Sequence, residues 1–402
     1  MTRGWARVGR GPGWPSMAIG AALALALAAV LSGAAAPAAQ AGRPPVTSSC
    51  GNAVGPFTVL GTQVLGAGGK AFVSYGTTVS GLQNKDWEAA LNLDLQQIAA
   101  TARDWCANTV RLQFSQDNLL GPTGTGFNQA YMNAIKAEVQ TAESDNLVVV
   151  LNDSTNVTAP VWMAELGPTP ATETFWKDLS KVYGQDPQVI FDLFNEPRMY
   201  YSGMSPALEW KLWLNGGSFI GANYPFGLAG LARYVRSTLH AKNLFWIEGP
   251  RYSYSFAGML RHGAALKVSG VVYAVHHPAA PHNSRGWYAD FGYLVTQGIA
   301  PVVDGEWTNY EPPPTAHPTT MPTSCWPDAP ITVPAFLQYL QYLGIGLNVY
   351  SLLPGYMIKS VANLGDPTTI DARTWSCQSN HERQPGQGAG SLVMAWFKQN
   401  NG

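Results

Sequence analysis

The strongest constraint in this chain is an apolar run that ends in an amide, a carboxylate and a proline. In Val189–Pro197 (VIFDLFNEP), five of the six residues before Asn195 are apolar, and most of them favour strands. A second run, Pro301–Trp307 (PVVDGEW), ends in Glu306 in a similar way. Barrel strands present polar residues at their carboxyl ends in this manner. The two runs therefore predict two glutamates, Glu196 and Glu306, at one barrel mouth.

Strand-like runs alternate with helical patterns along the rest of the chain. This alternation predicts parallel βαβ units, and eight such units close into an α/β (β/α)8 TIM barrel. The predicted strands are Ala71–Thr78, Asn108–Phe114, Leu147–Asn152, Gln188–Asn195, Leu244–Glu248, Val271–His276, Pro301–Glu306 and Gly346–Ser351. The predicted helices are Trp87–Ala107, Asn128–Ser144, Thr172–Tyr183, Gly227–Ala241, Ser284–Gln297, Val333–Leu343 and Ser391–Gln399. The two glutamates would then follow the fourth and seventh strands.

Three segments interrupt this alternation. Phe57–Val64, with a turn at Gly66–Gly69, predicts a short N-terminal β-hairpin that caps the barrel floor. Glu311–Pro330 follows the seventh strand, and Asn363–Gly390 follows the eighth. Both are long for βα loops, and loops of this length are usually functional or disordered.

The first 41 residues resemble a secretory signal peptide. Arg3, Arg7 and Arg10 precede the uncharged run Met17–Leu31, and Ala39–Ala41 (AQA) fits a small-x-small cleavage site. The run is short for a membrane-spanning helix. We therefore expect residues 1–41 to be removed and residues 42–402 to form a single catalytic domain that is secreted, with no membrane attachment after cleavage.

Composition excludes several classes of partner. Charged residues make up 12% of the chain and the formal net charge is -1, so nothing attracts nucleic acid or an anionic membrane. Aromatic residues make up 11% of the chain and include 14 tryptophans. The flat face of an exposed tryptophan could stack on a sugar, although we expect most of these side chains to lie in the core.

Four cysteines in an exported chain suggest two disulfides, for which three pairings are possible. Cys325 and Cys377 lie in the two long loops, which would be neighbours at the barrel mouth. We therefore favour Cys325–Cys377, which leaves Cys50–Cys106. No two cysteines lie at metal-ligand spacing, and we expect no metal.

Two glutamates at one barrel mouth are the minimum requirement for cleaving a glycosidic bond. With the motifs around them, the chain resembles glycoside hydrolase family 5 from about Ala71 onwards. The resemblance rests on Asn108–Leu112 (NTVRL), Ser115–Asp117 (SQD), Phe191–Pro197 (FDLFNEP), Val272–His276 (VYAVH), Asp304–Trp307 (DGEW) and Tyr350–Gly355 (YSLLPG).

The resemblance assigns roles to the polar residues at the strand ends. It implies that Glu196 is the acid/base and Glu306 the nucleophile, and that Asn195 binds the 2-hydroxyl of the substrate. Arg111 would keep Glu306 ionised, unless it forms only an ordinary ion pair in the barrel.

Two further positions allow more than one interpretation. His276 would lie beside the acid/base, but it could be a hydrogen-bonded core histidine, and His277 takes its place if the register slips by one residue. Trp307 could stack on a sugar or form part of the barrel wall.

The sequence departs from the family pattern at three places. The family usually has a histidine after the third strand, but Leu151–Ser154 (LNDS) contains none. Pro278 stands where a tyrosine usually bonds the nucleophile, and Tyr350 stands where a tryptophan usually forms the floor of the subsite. These changes affect the expected substrate more than the expected mechanism.

The resemblance implies a retaining glycoside hydrolase without a cofactor that acts as a monomer on polysaccharide or oligosaccharide. An endo-β-1,4-glucanase (cellulase-like) is the leading hypothesis. The alternatives are a mannanase, a β-1,3- or β-1,6-glucanase, an exo-acting β-glycosidase, a non-catalytic carbohydrate-binding barrel and a metal-dependent hydrolase.

Overall fold

Eight parallel strands close into a barrel in the computed structural model of this protein. The structure describes residues 50–121, 123–155, 167–198, 204–219, 222–224, 226–279, 283–308, 328–375 and 386–402. The barrel strands, first to eighth, are Tyr75–Val79, Thr109–Ser115, Val148–Thr155, Val189–Asp192, Phe245–Glu248, Val271–Val275, Val302–Trp307 and Gly346–Val349. Each pairs in parallel with its neighbours, and the eighth pairs with the first. The predicted α/β TIM barrel is confirmed.

Helices alternate with these strands. They span Trp87–Arg103, Gln116–Leu120, Gln129–Ser144, Pro170–Tyr183, Pro206–Asn215, Leu228–Arg233, Ser284–Trp287, Tyr293–Thr296, Ala329–Leu343 and Gly390–Asn401. The helix Pro170–Tyr183 shows why such segments form. Proline occupies its first turn, and Thr169 and Thr172 form a reciprocal capping box. Its buried residues, Phe175, Trp176, Leu179 and Tyr183, recur at helical spacing.

Two of the predicted helices contain a π-helical segment. The predicted helix Gly227–Ala241 ends as α-helix at Arg233 and continues as a π-helical segment, Tyr234–Thr238. The predicted helix Ser284–Gln297 is likewise interrupted by a π-helical segment, Tyr288–Gly292. Apolar periodicity does not reveal such a local change in hydrogen bonding, because it is small compared with one helical turn.

The first predicted strand, Ala71–Thr78, divides between two sheets. Ala71–Phe72 pairs with Gln63–Leu65, which pairs with Thr58–Leu60 in an antiparallel sheet. Tyr75–Val79 belongs to the barrel. A hairpin is therefore present as predicted, but its turn lies at Gly61 and Thr62, and the predicted turn at Gly66–Gly69 instead joins the second strand to a third.

The small sheet closes one end of the barrel. Phe57, Val59, Val64 and Phe72 pack against the inward-facing apolar residues at the amino ends of the strands. That inner cluster comprises Val148, Val150, Ile190, Leu244, Trp246, Val272, Ala274 and Val303. Because the floor is filled with apolar side chains, polar chemistry is confined to the opposite end.

A disulfide joins Cys50 to Cys106, and their Cα atoms are 5.3 Å apart, which confirms this pairing. The carboxyl-terminal helix reaches the same place, because Asn401 Nδ2 donates to the backbone oxygen of Cys106 at 2.8 Å. Cys325 and Cys377 lie outside the described residues, so their predicted bridge stays a prediction.

The long segments after the seventh and eighth strands are described only in part. Most of Glu311–Pro330 lies outside the described residues. Asn363–Gly390 begins with a strand, Asn363–Pro367, which pairs antiparallel with Ile358–Ser360. Another small antiparallel sheet joins Gly217–Phe219 to Ala222–Tyr224. In the described part of the chain, none of the helices has the length and apolar character needed to cross a bilayer.

Two buried carboxyl groups, Asp94 and Glu138, face each other between helices Trp87–Arg103 and Gln129–Ser144. Burial raises the pKa of Asp94 to about 6, and burial together with the neighbouring Asp94 carboxylate raises the pKa of Glu138 well above its ordinary value. A raised carboxyl pKa stabilises the folded protein below the unfolded pKa, and this stabilisation is lost as the pH rises through the folded pKa.

We therefore expect Asp94→Asn to leave the melting temperature nearly unchanged at pH 4 and to raise it above that of the wild type at pH 8. Thermal unfolding across this range measures the effect. Asp178→Asn is the control, because Asp178 pairs with the exposed Lys181 and its replacement should change stability by less than about 0.5 kcal/mol at either pH. If the melting temperatures of the wild type and Asp94→Asn changed in parallel between pH 4 and pH 8, the result would contradict the expectation.

Candidate active site

The interior of the barrel changes from apolar to charged within two residues. Side chains alternate along a strand, so the residue two places after an inward apolar residue also faces inward. Asp192 follows Ile190 in this way, and Glu248 follows Trp246. The charged and polar layer so formed contains Arg111, Gln113, Asp192, Glu248 and His276.

Arg111 is the centre of this layer, and its side chain is completely buried. Its Nε donates to Asp192 Oδ2 at 2.8 Å, and its Nη1 donates to Glu306 Oε2 at 2.5 Å. Its Nη2 donates to Glu248 Oε1 at 2.9 Å and to Asn195 Oδ1 at 2.6 Å. One planar guanidinium therefore orients residues that follow or end the fourth, fifth and seventh strands.

Glu196 and Glu306 meet above Arg111. One carboxylate oxygen of each, together with a ring nitrogen of His276, lies within 4.8 Å of the other two atoms. Glu306 Oε2 also accepts a hydrogen bond from Gln113 Nε2 at 2.7 Å, whereas Glu196 Oε1 lies 2.9 Å from His276 Nδ1. The two glutamates are therefore close together but have different partners.

His276 lies between Glu196 and Glu248. Its Nε2 is 3.2 Å from Glu248 Oε1, which is an ion-pair distance. Burial by itself would lower the pKa of His276, but the Glu248 carboxylate and the contact with Glu196 outweigh it and raise that pKa well above its ordinary value. The imidazole is therefore held as a cation.

Glu248 is buried and ionised. Burial alone would raise the pKa of Glu248, but the positive charges of His276 and Arg111 outweigh burial and lower it to about 2. Its Oε2 accepts hydrogen bonds from Ser253 Oγ and from the backbone nitrogen of Glu196, each at 2.5 Å. The second bond holds Glu196 in the left-handed region, at a φ of 46°, which is uncommon for a residue other than glycine.

Two other carboxyl groups, those of Glu196 and Asp192, have raised pKa values. Burial raises the pKa of Glu196, and this outweighs the opposing effect of His276. Burial and the charge of Glu248 raise the pKa of Asp192 well above its ordinary value, although Asp192 accepts a bond from Arg111. Protons are therefore favoured on Glu196 and Asp192, and negative charge on Glu248.

The pocket above this layer is lined mainly by polar groups. Ser154, near the end of the third strand where the family histidine is missing, donates from Oγ to Oε1 of Gln83, which lies after the first strand, at 2.6 Å. Tyr350 also lines the pocket, with its hydroxyl 3.5 Å from Ser80 Oγ. The lining residues are Gln83, Gln113, Ser154, Asn195, Glu196, Glu306 and Tyr350.

The structure distinguishes between the alternatives left open for His276 and Trp307. His277 is completely buried and lies 3.2 Å from Asp290 Oδ2, outside the pocket, so His276 is the residue beside Glu196. Trp307 is also completely buried, and its ring stacks on Phe336 with centroids 6.2 Å apart. The expected substrate contact of Trp307 is therefore not found. The side chain forms part of the barrel wall, because it points outward from the seventh strand.

Three polar residues of the site had no role in the sequence interpretation: Gln113, Asp192 and Glu248. Each lies two residues after an inward-facing residue of its strand, so strand alternation was the signal that could have found them. Ser154 lies near the end of the third strand, whereas Gln83 lies in the segment after the first strand, where no periodicity applies.

Glu196, His276 and Glu306 also form the one cluster, among the described residues, with the spacing of a metal site. A histidine ligand must be neutral. Because Glu248 favours the protonated imidazole, the electrostatics of this cluster oppose metal binding.

We expect Glu248→Gln to lower the free energy of unfolding by about 3 kcal/mol or more at pH 7, because Arg111 and His276 lose a buried counter-charge. The stabilisation from a lowered carboxyl pKa is present above the ordinary value of 4.5 and is lost as the pH falls toward about 2. The difference in free energy of unfolding between the variant and the wild type should therefore become smaller below about pH 4.5.

Urea unfolding at several pH values measures this difference. Glu209→Gln is the matched control, because Glu209 is equally buried but pairs with Arg251, whose side chain is 49% exposed, and we expect a loss of about 1 kcal/mol or less. Equal losses in the two variants would contradict a special role for Glu248.

The comparisons with known proteins agree with this geometry. Residues 65–311, more than half of the chain, match the cellulase family (glycosyl hydrolase family 5). No curated protein sequence matches the chain.

Solved structures share the fold at low sequence identity. A β-glucanase from Saccharophagus degradans in complex with cellotetraose is 16% identical, with a TM-score of 0.60 over 90% of this chain and 99% of that one. The catalytic domain of endoglucanase Cel5A from Thermobifida fusca, also with cellotetraose, is 15% identical, with a TM-score of 0.53 over 86% and 97%. A β-mannanase from Thermomonospora fusca is 15% identical, with a TM-score of 0.52 over 74% and 84%. Given the family match over most of the barrel, the chain belongs to glycosyl hydrolase family 5, the cellulase family, and is a glycoside hydrolase.

Proposed function

We propose that this protein is an exported, retaining endo-β-1,4-glucanase in which Glu196 is the acid/base and Glu306 the nucleophile. The separation of the two carboxylates carries the proposal. Retaining enzymes hold their carboxyl groups about 5–5.5 Å apart, whereas inverting enzymes need about 6.5–9.5 Å to admit a water molecule. An oxygen of Glu196 lies within 4.8 Å of an oxygen of Glu306.

The first step transfers the sugar to the enzyme. Glu306 attacks the anomeric carbon, the glycosidic carbon–oxygen bond breaks, and Glu196 donates its proton to the departing oxygen. Arg111 supports the ionised state of Glu306 with a hydrogen bond at 2.5 Å. Burial supports the protonated state of Glu196 by raising its pKa. The two environments therefore favour opposite protonation states of the two carboxyl groups, as this step requires.

The second step releases the sugar. Glu196, now ionised, takes a proton from water while the water oxygen attacks the anomeric carbon, and the bond to Glu306 breaks. His276 contacts Glu196 at 2.9 Å and is cationic, so it stabilises the carboxylate that Glu196 becomes between the two steps. This favours a cycle in which the same carboxyl group loses and regains a proton.

Asn195 is suited to bind the substrate 2-hydroxyl. Its Oδ1 accepts a hydrogen bond from Arg111 Nη2 at 2.6 Å, and this contact fixes the orientation of the amide. The amide nitrogen of Asn195 is then the group available to donate to a sugar hydroxyl. A contact of this kind strengthens in the transition state and contributes to the rate.

The substrate proposal rests on similarity. Two of the similar structures are a β-glucanase and an endoglucanase, both bound to cellotetraose, which favours a β-1,4-linked glucan here. A β-mannanase is also similar but matches less of the chain, so mannan is the second candidate. An exo-acting β-glycosidase and a β-1,3-glucanase are the remaining alternatives.

The proposal includes export and removal of residues 1–41. The basic start, the apolar run and the AQA sequence before Gly42 support it. Mass spectrometry of the protein recovered from the culture medium of an expressing host should give an amino terminus at Gly42. An intact amino terminus on membrane-bound protein would contradict it.

We expect Glu306→Gln to reduce turnover by at least about 10³-fold while substrate binding is retained, because the amide is not a nucleophile. Glu196→Gln should reduce the rate on natural glucan strongly but reduce it much less on aryl glycosides whose leaving group needs no proton. Initial rates on both substrates and calorimetric binding of a cello-oligosaccharide measure these effects. Equal losses for Glu196→Gln on both substrates would contradict the assigned roles.

We expect the protein to release reducing sugar from cellulose-like β-1,4-glucan and to lower its viscosity rapidly, because endo cleavage shortens chains from within. A panel that adds mannan, xylan and β-1,3-glucan identifies the polymer, with Glu306→Gln as the inactive control. Dialysis against a chelator should leave the rate unchanged. Sugar release without a fall in viscosity would indicate exo action, and binding without turnover would indicate a binding protein.

A further inference from the structure

Gln113 contacts the proposed nucleophile from the second barrel strand. It lies two residues after Arg111, so both side chains point into the barrel. The side chain is almost completely buried, and its Nε2 donates to Glu306 Oε2 at 2.7 Å. The same oxygen accepts the bond from Arg111 Nη1. A neutral donor and a charged donor therefore share one carboxylate oxygen.

We propose that Gln113 is a positioning residue for Glu306, which orients this carboxylate and stabilises its ionised form. This inference rests on the proposed role of Glu306 as the nucleophile. Both donors bond Oε2, and among the described residues no hydrogen bond reaches Oε1. Oε1 is therefore the oxygen that attacks the anomeric carbon, and Oε2 is the oxygen that the protein holds.

The orientation of the Gln113 amide is determined by its surroundings. If the amide were flipped, its Oε1 would face a carboxylate oxygen of Glu306, and two acceptors would repel each other. In the orientation present, Gln113 Oε1 is buried and has no hydrogen-bond partner among the described residues. Leaving a buried acceptor unpaired costs free energy, which the charge-assisted bond to Glu306 offsets.

Other groups around Glu306 do not supply this contact. Arg111 divides its donors among three carboxyl groups and Asn195. Pro278, at the end of the sixth strand, carries no side-chain donor. Gln113 therefore adds a hydrogen bond to Glu306 without adding a further positive charge to those of Arg111 and His276.

The second chemical step depends most on this bond. When the bond between the anomeric carbon and Glu306 breaks, its electron pair returns to Glu306 as carboxylate charge, while water supplies the new oxygen and its proton goes to Glu196. A donor on Oε2 stabilises this leaving carboxylate. Without that donor, the glycosyl-enzyme intermediate should form, persist and accumulate.

Replacement of Gln113 by methionine tests the inference, because methionine has similar volume and no donor. A charge-assisted hydrogen bond contributes enough that kcat should fall by about 10- to 100-fold. KM should fall together with kcat, because the intermediate accumulates. Intact-protein mass spectrometry of the quenched reaction should then show the added sugar. Gln113→Asn, which keeps an amide donor on a shorter side chain, should recover part of kcat.

The pH profile gives a second readout. The acid limb of kcat/KM should move upward for Gln113→Met, because a carboxylate with fewer donors is harder to ionise. The charged and titratable groups that act on Glu306 are Arg111, Glu196, His276, Asp304, Tyr350 and Tyr356, and all of them remain in the variant. Gln113→Glu should move the limb further, because it adds a like charge.

Gln97→Met is the matched control. Gln97 is equally buried, but its Nε2 donates to the backbone oxygen of Leu352 at 2.8 Å and contacts neither glutamate. The Gln97→Met variant should be less stable than the wild type. The acid limb of its kcat/KM profile and its low level of glycosyl-enzyme intermediate should not change. If folded Gln113→Met shows an unchanged acid limb and no accumulated intermediate, the inference is wrong. If Glu306→Gln remains active, the proposed function itself is wrong.

Discussion

The active site depends on one buried guanidinium. Arg111 bonds Asp192, Glu248, Glu306 and Asn195 at distances of 2.5–2.9 Å, and its side chain has no solvent exposure. A buried cation is costly unless each donor is satisfied, so its presence fixes the positions of the acceptors around it. The strand ends that carry the two proposed catalytic glutamates are therefore oriented by a single side chain from a different strand.

The protonation states of the buried groups around Arg111 balance the charge in this layer. Arg111 and His276 are cationic, and Glu248 is a buried anion with a pKa of about 2. The raised pKa values of Asp192 and Glu196 favour their protonated forms. Glu248 is central to this balance, because it contacts both cations and also accepts a bond from the backbone of Glu196. The protonation of the proposed acid is thus linked to a carboxylate that does not line the pocket.

The barrel architecture separates the polar site from the apolar floor. The floor is filled by apolar residues and closed by the amino-terminal sheet, in which Phe57 and Phe72 pack with ring centroids 4.7 Å apart. The polar layer begins only two residues further along each strand. Two of the departures from the family pattern, at Ser154 and Tyr350, lie in the lining of the pocket above that layer, and the arrangement of Arg111, Asn195 and the two glutamates is intact beside them.

The sequence by itself determined the strands, the barrel and the two glutamates, because strand-forming apolar runs and their polar ends are local patterns. It also favoured His276 over His277 as the residue beside Glu196, and Cys50–Cys106 among the possible disulfide pairings. Only the tertiary structure decided that Trp307 belongs to the wall and that Gln113, Asp192 and Glu248 belong to the site. These depend on which way each strand turns its side chains and on charges from other strands. Local patterns do not contain such distances, because the interacting residues are brought together only when the barrel closes.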